Sequence, residues 1–268
     1  MLRNQVFPYY RKYVEDLAKA YEVIKEQKCT GTVEDLCALR GYLEGSEQYN
    51  LMKKMGIQAY SILDTSVLGD RRKELALVSE ADNYLLEDRF VIPVSSASGD
   101  LLTLIGYYPD YSKYITLPTR CFSKNILFFN IDHALKVSWQ TYGGIVFLVE
   151  GIFDALSLRS LGLPAIATMG NNVGLVKAEL LKVFRKVVYI PDNDATGRKE
   201  LDRNDKKHGW RVPFNATGVK LKGCYGNDGI TIQIKDIDKA VSLYDAESLV
   251  DLLLGFAESK EEYEELIF

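Results

Sequence analysis

Residues 144–162, GIVFLVEGIFDALSLRSLG, begin as an apolar run and turn acidic at Glu150. GIVFLVE reads as a buried strand and GIFDALSLRSLG as a helix closed by Gly162. The pattern then repeats. PAIATMG reads as a strand, NVGLVKAELLKVF as an amphipathic helix, KVVYIPD as a strand and ATGRKELDRNDKKHG as a polar helix. Continuous apolar strands alternating with helices specify parallel βα units. In such sheets ligands sit at the carboxyl ends of the strands. Glu150 and Asp192 stand at those ends. After GITIQI, a shorter β-like stretch, KDIDKAV adds a third acidic turn with Asp236 and Asp238.

The spacing within each motif has a chemical reading. Gly151 permits a tight turn or a close approach of backbone to ligand. Asp154 lies on the first turn of the helix and can point back toward Glu150. Asp192 and Asp194 are two apart, like alternate residues of an extended chain, and both can face one point. Asp236 and Asp238 repeat the arrangement. Two carboxylates 4 Å apart repel by roughly 4 kcal/mol at an effective dielectric of about 20, so converging acids either take up protons or bind cations. An all-oxygen set without His or Cys selects hard ions, chiefly Mg²⁺ or Mn²⁺. Such a site suits phosphoryl transfer. Any one of these acids serves equally well as a helix cap; six of them in three motifs point to a metal site.

Upstream the period differs. Residues 1–86 read as helical: YYRKYVEDLAKAYEVIKEQ, then TVEDLCALRGYL behind a cap-like Thr32, then EQYNLMKKMG. From residue 87, DRFVIPVSS and DLLTLIGYY read as a hairpin across ASG, with KYITLP and NILFFN as further short strands.

The whole chain has 268 residues and 47% hydrophobic content, enough for one large or two small cored domains. No apolar run is long enough to span a bilayer. The opening MLRNQVFPYYRKYVEDL lacks the apolar core and cleavage site of a signal peptide, so a cytoplasmic location without membrane contact is expected. Cys29, Cys37, Cys121 and Cys224 are widely spaced, with no CxxC pair and only two histidines, so no zinc site is expected. The net charge of −4 argues weakly against a nucleic-acid partner, but its distribution does not. Residues 235–268 hold ten acids and three lysines, while the rest holds 27 acids and 30 bases. The acidic tail ending ESKEEYEELIF reads as a solvated helix end.

VEGIFDALSL, AIATMG and VVYIPDNDATG together resemble the TOPRIM domain, whose signature is a Glu after one strand and an Asp-x-Asp after another. The flanks resemble DnaG-type bacterial and phage primases. There an Arg-x-x-x-Pro strand opens a hairpin, and a Lys-Tyr stretch leads to Phe-x-Lys. The counterparts here are Arg89 and Pro93, Lys113 and Tyr114, then Phe122 and Lys124. GYLEGSEQYNLMKKMGIQAY is similar to that family's helical lead-in, and KDIDKAV to its Lys-Asp-Pro-Asp motif, with Ile237 in place of Pro. The resemblance covers roughly residues 33 to 255.

It implies an α/β fold, α+β overall: a Rossmann-like parallel-sheet TOPRIM domain preceded by a small mixed α+β primase subdomain. The expected organisation is a helical lead-in over 1–86, a β-rich basic subdomain over 87–143, the TOPRIM metal-binding domain over 144–240, and a helical acidic tail over 241–268. The implied activity is DNA-directed synthesis of RNA primers by metal-assisted nucleotidyl transfer. Glu150 would be the catalytic, metal-organising carboxylate, with Asp154 assisting. Asp192, Asp194, Asp236 and Asp238 would bind Mg²⁺ or Mn²⁺. Arg89, Lys113 and Lys124 would bind nucleotide phosphates or template. The implied partners are single-stranded DNA, ribonucleoside triphosphates, and a replicative helicase or a separate zinc-module protein.

The sequence departs from the pattern in three ways. No zinc ribbon or helicase-binding domain of the family's kind is expected, and SSASGDLLTLIGYYPD, residues 95–110, carries no Arg or Lys where the family's hairpin is basic. A compact phage or mobile-element primase served by partners is the expected context. Two other functions share the motifs: a TOPRIM nuclease that activates water with the same metals, and a degenerate primase-like module that binds replication partners without catalysis.

Overall fold

The structure is a computed structural model. It describes residues 3–61, 68–79, 84–109, 113–117, 126–169, 173, 175–192, 216–225, 231–232, 236–243, 245–258 and 263–267. The chain divides into two compact units, residues 1–123 and 124–268.

The first unit is built on a five-stranded antiparallel sheet in the order β1-β2-β3-β4-β5. The strands are β1 (Cys29–Gly31), β2 (Ala59–Tyr60), β3 (Arg89–Ser95), β4 (Leu101–Tyr108) and β5 (Lys113–Thr116). Helix α1 (Arg3–Lys25) lays Tyr13, Leu17, Ala20 and Ile24 along one stripe, all buried, against Val91, Leu104 and Leu117 of the sheet region. That spacing of three and four residues is what an amphipathic helix needs to bury one face. Helices α2 (Val33–Arg40) and α3 (Glu47–Met55) are bounded by their sequence. Thr32 and Asp35 form a capping box, Ser46 caps α3, and Gly41 and Gly56 close the two helices in the left-handed conformation. A single turn, α4 (Arg71–Glu74), precedes β3.

Pro93 lies mid-strand in β3, where a missing N–H would ordinarily break a ladder. The Val91 N–H donates to Gln58 O at 2.9 Å, and β2 pairs only with Arg89 and Phe90. The Pro93 nitrogen therefore falls beyond the end of β2, and no ladder bond is forfeited. The 1–86 stretch supplies β1 and β2 as well as helices. These strands of three and two residues are too short to show a period.

The second unit carries the parallel βα arrangement that the apolar runs predict. Strand β6 (Ile145–Val149) is buried at every position and pairs in parallel with β7 (Ala165–Ala167) and β8 (Lys186–Ile190). Strand β9 (Ala216–Tyr225) continues parallel to β8, and β10 (Thr231–Ile232) returns antiparallel. Helices α5 (Ile131–Thr141), α6 (Ile152–Ser160) and α7 (Leu175–Leu181) accompany these strands, followed by α8 (Ile237–Leu243) and α9 (Ala246–Glu258). One face of the sheet packs Val146, Leu148, Ile166 and Val187 against Phe128, Ala134, Ala178, Leu181 and Phe184.

Two local readings are corrected. NILFFN does not form a strand over its described residues; Phe129 makes one antiparallel bridge to Ala167, and Asn130 then turns left-handed to start α5. The acidic tail is not a helix end throughout: Tyr263–Ile267 form β11, parallel to β9. The polar helix expected over 195–209 lies outside the described residues. Among the described residues no helix is long and apolar enough to cross a membrane.

Candidate metal centre

Parallel pairing brings residues from distant parts of the chain to one edge. Val149 pairs with Ile190, so Glu150 and Asp192 leave adjacent strands side by side. Glu150 Oε1 accepts the Asp192 N–H at 3.2 Å, and the Tyr189 hydroxyl stands 3.4 Å from the same oxygen. Both acids are partly exposed.

Gly151 caps α6 without a side chain, and the Gly151 N–H donates to Asp154 Oδ2 at 3.2 Å. A Cβ at residue 151 would overlap that carboxylate, so any side chain there would push Asp154 from its place. The other oxygen, Asp154 Oδ1, accepts the Asp238 N–H at 3.1 Å from the first turn of α8. Asp238 is buried beside it, and the Ser157 hydroxyl donates to Asp238 Oδ1. Asp236 caps α8, its Oδ1 accepting the Lys239 N–H at 2.9 Å.

The acids of all three motifs thus share one neighbourhood. Burial pushes the Asp154 carboxyl well above the ordinary carboxylate range, and the charges of Asp236, Asp192 and Asp238 push it further; the Asp238 N–H works in the opposite sense. Four carboxylates gathered this closely repel one another, and a cation would offset that repulsion. The donor set is all oxygen, which fits a hard divalent ion. Among the described residues, no three His, Cys, Asp or Glu side chains are arranged to hold an ion as they stand. Glu150, Asp154 and Asp236 each accept a backbone N–H.

The sequence-predicted residues therefore separate into groups. Glu150, Asp154, Asp192, Asp236 and Asp238 come together. Asp194 and Lys124 lie outside the described residues. Arg89 and Lys113 belong to the first unit. There the register sets Arg89 of β3 opposite Tyr108 of β4, and Tyr108 opposite Lys113 of β5. The Arg89 guanidinium lies 5.4 Å from the Tyr108 ring centre. Its stem crosses Gly106, where a Cβ would stand 2.7 Å from Arg89 Cδ and 2.9 Å from Leu86 Cδ2.

Three residues escape a reading based on acids alone. Ser157 stands one turn after Asp154 in an otherwise apolar run, and Tyr189 three residues before Asp192. Lys177 is buried on α7, donates to Thr168 O at the end of β7 and lies 5.3 Å from the Phe128 ring centre. The one signal in each case is a polar group at a position whose period calls for an apolar one.

Residues 147–212 match the Toprim-like family. A DNA primase of Thermotoga maritima is 29% identical over 195 residues, which cover 70% of this chain and 33% of that protein. The RNA polymerase domain of the Mycobacterium tuberculosis primase DnaG superposes with a TM-score of 0.63 at 19% identity, covering 91% of this chain and 82% of that one. Residues 147–212 are thus Toprim-like, and the chain has the fold of the DnaG catalytic core. A DnaG primase catalytic domain solved bound to single-stranded DNA also superposes on this chain. Its TM-score is 0.67 at 17% identity, covering 93% of this chain and 82% of that one. The chain spans about a third of the length of the curated relative it matches.

Proposed function

We propose that the chain is the catalytic core of a DNA primase, a nucleotidyltransferase that builds short RNA primers on a single-stranded DNA template. The observation that carries this reading is the convergence of Asp192, Asp236 and Asp238 on Asp154 at the strand ends, next to Glu150. In the reaction the 3′-hydroxyl oxygen of one ribonucleotide bonds to the α-phosphorus of the next triphosphate. The bond to the β-phosphate oxygen breaks and pyrophosphate leaves. A Mg²⁺ or Mn²⁺ ion, held by Glu150, Asp192, Asp194 and Asp236 with Asp238, would supply Lewis acidity at the phosphates.

The residues of the chain have separate tasks in this scheme. Glu150, tied to the Asp192 N–H, holds its carboxylate at the end of β6 and serves as acceptor for the hydroxyl proton. Asp154 joins the α6 and α8 termini, so the first and third acidic motifs keep their spacing. Arg89, Lys113 and Lys124 are assigned to phosphates of nucleotide or template, which makes template binding sensitive to salt. The absence of Arg and Lys over residues 95–110 supports a partner that shares the template. A replicative helicase or a zinc-module protein fits that place, in a phage or mobile-element setting.

A single denaturing gel tests the proposal. The chain is incubated with single-stranded DNA, the same DNA bearing a short RNA primer, four ribonucleotides and Mn²⁺. New oligoribonucleotides or extended primers, lost in Asp192→Ala, are the expected result. Shortened DNA without synthesis would replace the proposal with a nuclease.

A further inference from the structure

Ser157 occupies a stretch of α6 in which every residue from Ile152 to Leu158 is buried, and it is itself fully buried. Alanine would pack there and propagate the helix better, so what the serine adds is its donor. That donor is used: the hydroxyl gives its hydrogen to Asp238 Oδ1. In the opposite direction the Asp238 N–H gives its hydrogen to Asp154 Oδ1 at 3.1 Å. Two bonds of opposite polarity, from residues one turn apart on α6, therefore grip a single residue of α8. A side chain as buried as Asp238 needs such a donor to satisfy its oxygens.

The grip acts on more than Asp238. Residue 238 is in the first turn of α8, and Asp236 caps the same helix through Lys239 N. Fixing the first turn fixes the cap. We propose that Ser157 is a positioning residue of the metal centre: by clamping Asp238 onto α6 it sets the Asp236–Asp238 turn where Asp236 stands with Asp154 and Asp192. The proposal rests on the metal reading above. Groups that orient the ligands of an ion commonly change its affinity 10–100-fold when removed.

The test uses the full chain with Ser157→Ala, which removes the donor, and Ser157→Thr, which keeps it. Two readouts are needed. Without metal, hydrogen exchange over α8 should quicken in the alanine variant and return toward wild type in the threonine variant. With Mn²⁺ titrated by electron paramagnetic resonance, the alanine variant should bind on the order of 10-fold more weakly, with the threonine variant restoring affinity. Unchanged exchange in Ser157→Ala would show that no clamp exists. Quickened exchange with unchanged Mn²⁺ affinity would reduce Ser157 to a structural bond and overturn the positioning role. A wild-type chain that takes up no Mn²⁺ would overturn the metal reading, and the positioning role with it, while the exchange arm still reports the clamp.

Discussion

The two units gather their charged residues by opposite routes. In residues 124–268, crossover connections return β6, β7 and β8 in the same direction, so the acids that follow β6 and β8 emerge at one edge although Glu150 and Asp192 are 42 positions apart. In residues 1–123, hairpins reverse the chain. The start of β3, the end of β4 and the start of β5 therefore meet at one edge, and Arg89, Tyr108 and Lys113 fall in a single cross-strand row. The routes differ in energy. Arg89 is supported where it lies, by a ring beneath its guanidinium and a glycine beneath its stem. The acids oppose one another, and Asp154 is driven toward its protonated form first by burial and then by its charged neighbours. The first arrangement is compatible with stability on its own; the second asks for a ligand.

The sharpest way to break the contrast is to remove charge without removing a hydrogen bond. Glu150→Gln keeps an oxygen to accept the Asp192 N–H, so the strand ends stay where they are. Nucleotidyl transfer should fall about 10³-fold, equivalent to about 4 kcal/mol of transition-state stabilisation. The thermal midpoint should hold or rise. Primer-extension rates and a melting curve on the same preparation check both halves.

Gly106→Val makes the reverse cut. A Cβ at this position meets Arg89 and Leu86 at under 3 Å, and a valine adds two methyls. Overpacking of this kind costs about 1–3 kcal/mol, measured as a lower urea midpoint. Arg89 must leave its seat over Tyr108, so single-stranded DNA binding should weaken together with stability. Mn²⁺ affinity, a property of the other unit, should not change.

The acid cluster also predicts how stability depends on pH. The Asp154 carboxyl is shifted upward in the folded chain. Between the ordinary carboxylate range and the raised value, the native state therefore holds more protons than the unfolded state, and stability falls as pH rises. In EDTA the midpoint should drop by a few degrees from about pH 5 to about pH 7. Millimolar Mg²⁺ should flatten the profile, because an ion bound only by the native state restores most where the acids are most ionised. A profile in EDTA that rises over this interval would mean that the acids are already compensated.

The acids and the parallel sheet were legible because both are local patterns: an apolar run ending in Glu or Asp announces a buried strand and its edge without knowledge of any partner. What stayed hidden depends on partners far away. Ser157 contacts Asp238 across 81 positions and Tyr189 contacts Glu150 across 39, so nothing near either residue identifies its role. Strands β1 and β2 are defined by pairing with each other and with β3 rather than by period. Strand β11 is an acidic segment that only its pairing with β9 makes a strand. In the first unit, Arg89 was marked by the resemblance to an Arg-x-x-x-Pro strand, but its seat required the register that puts Gly106 and Tyr108 beside it.

The smallest expected effect sharpens the comparison most cleanly, because it touches neither charge nor core. Ser46 Oγ accepts the Tyr49 N–H at 3.2 Å and caps α3, whose buried Met52 anchors it. Ser46→Ala leaves that N–H without its partner and should cost about 1 kcal/mol; Ser46→Asp, an equally good cap, should restore it. Hydrogen exchange over α2 and α3 should quicken in the alanine variant alone. If the two units gather their charges by independent routes, Mn²⁺ affinity and the exchange of α8 remain at wild-type values. A weaker Mn²⁺ site in Ser46→Ala would instead mean that the helices of the first unit help hold the acids of the second.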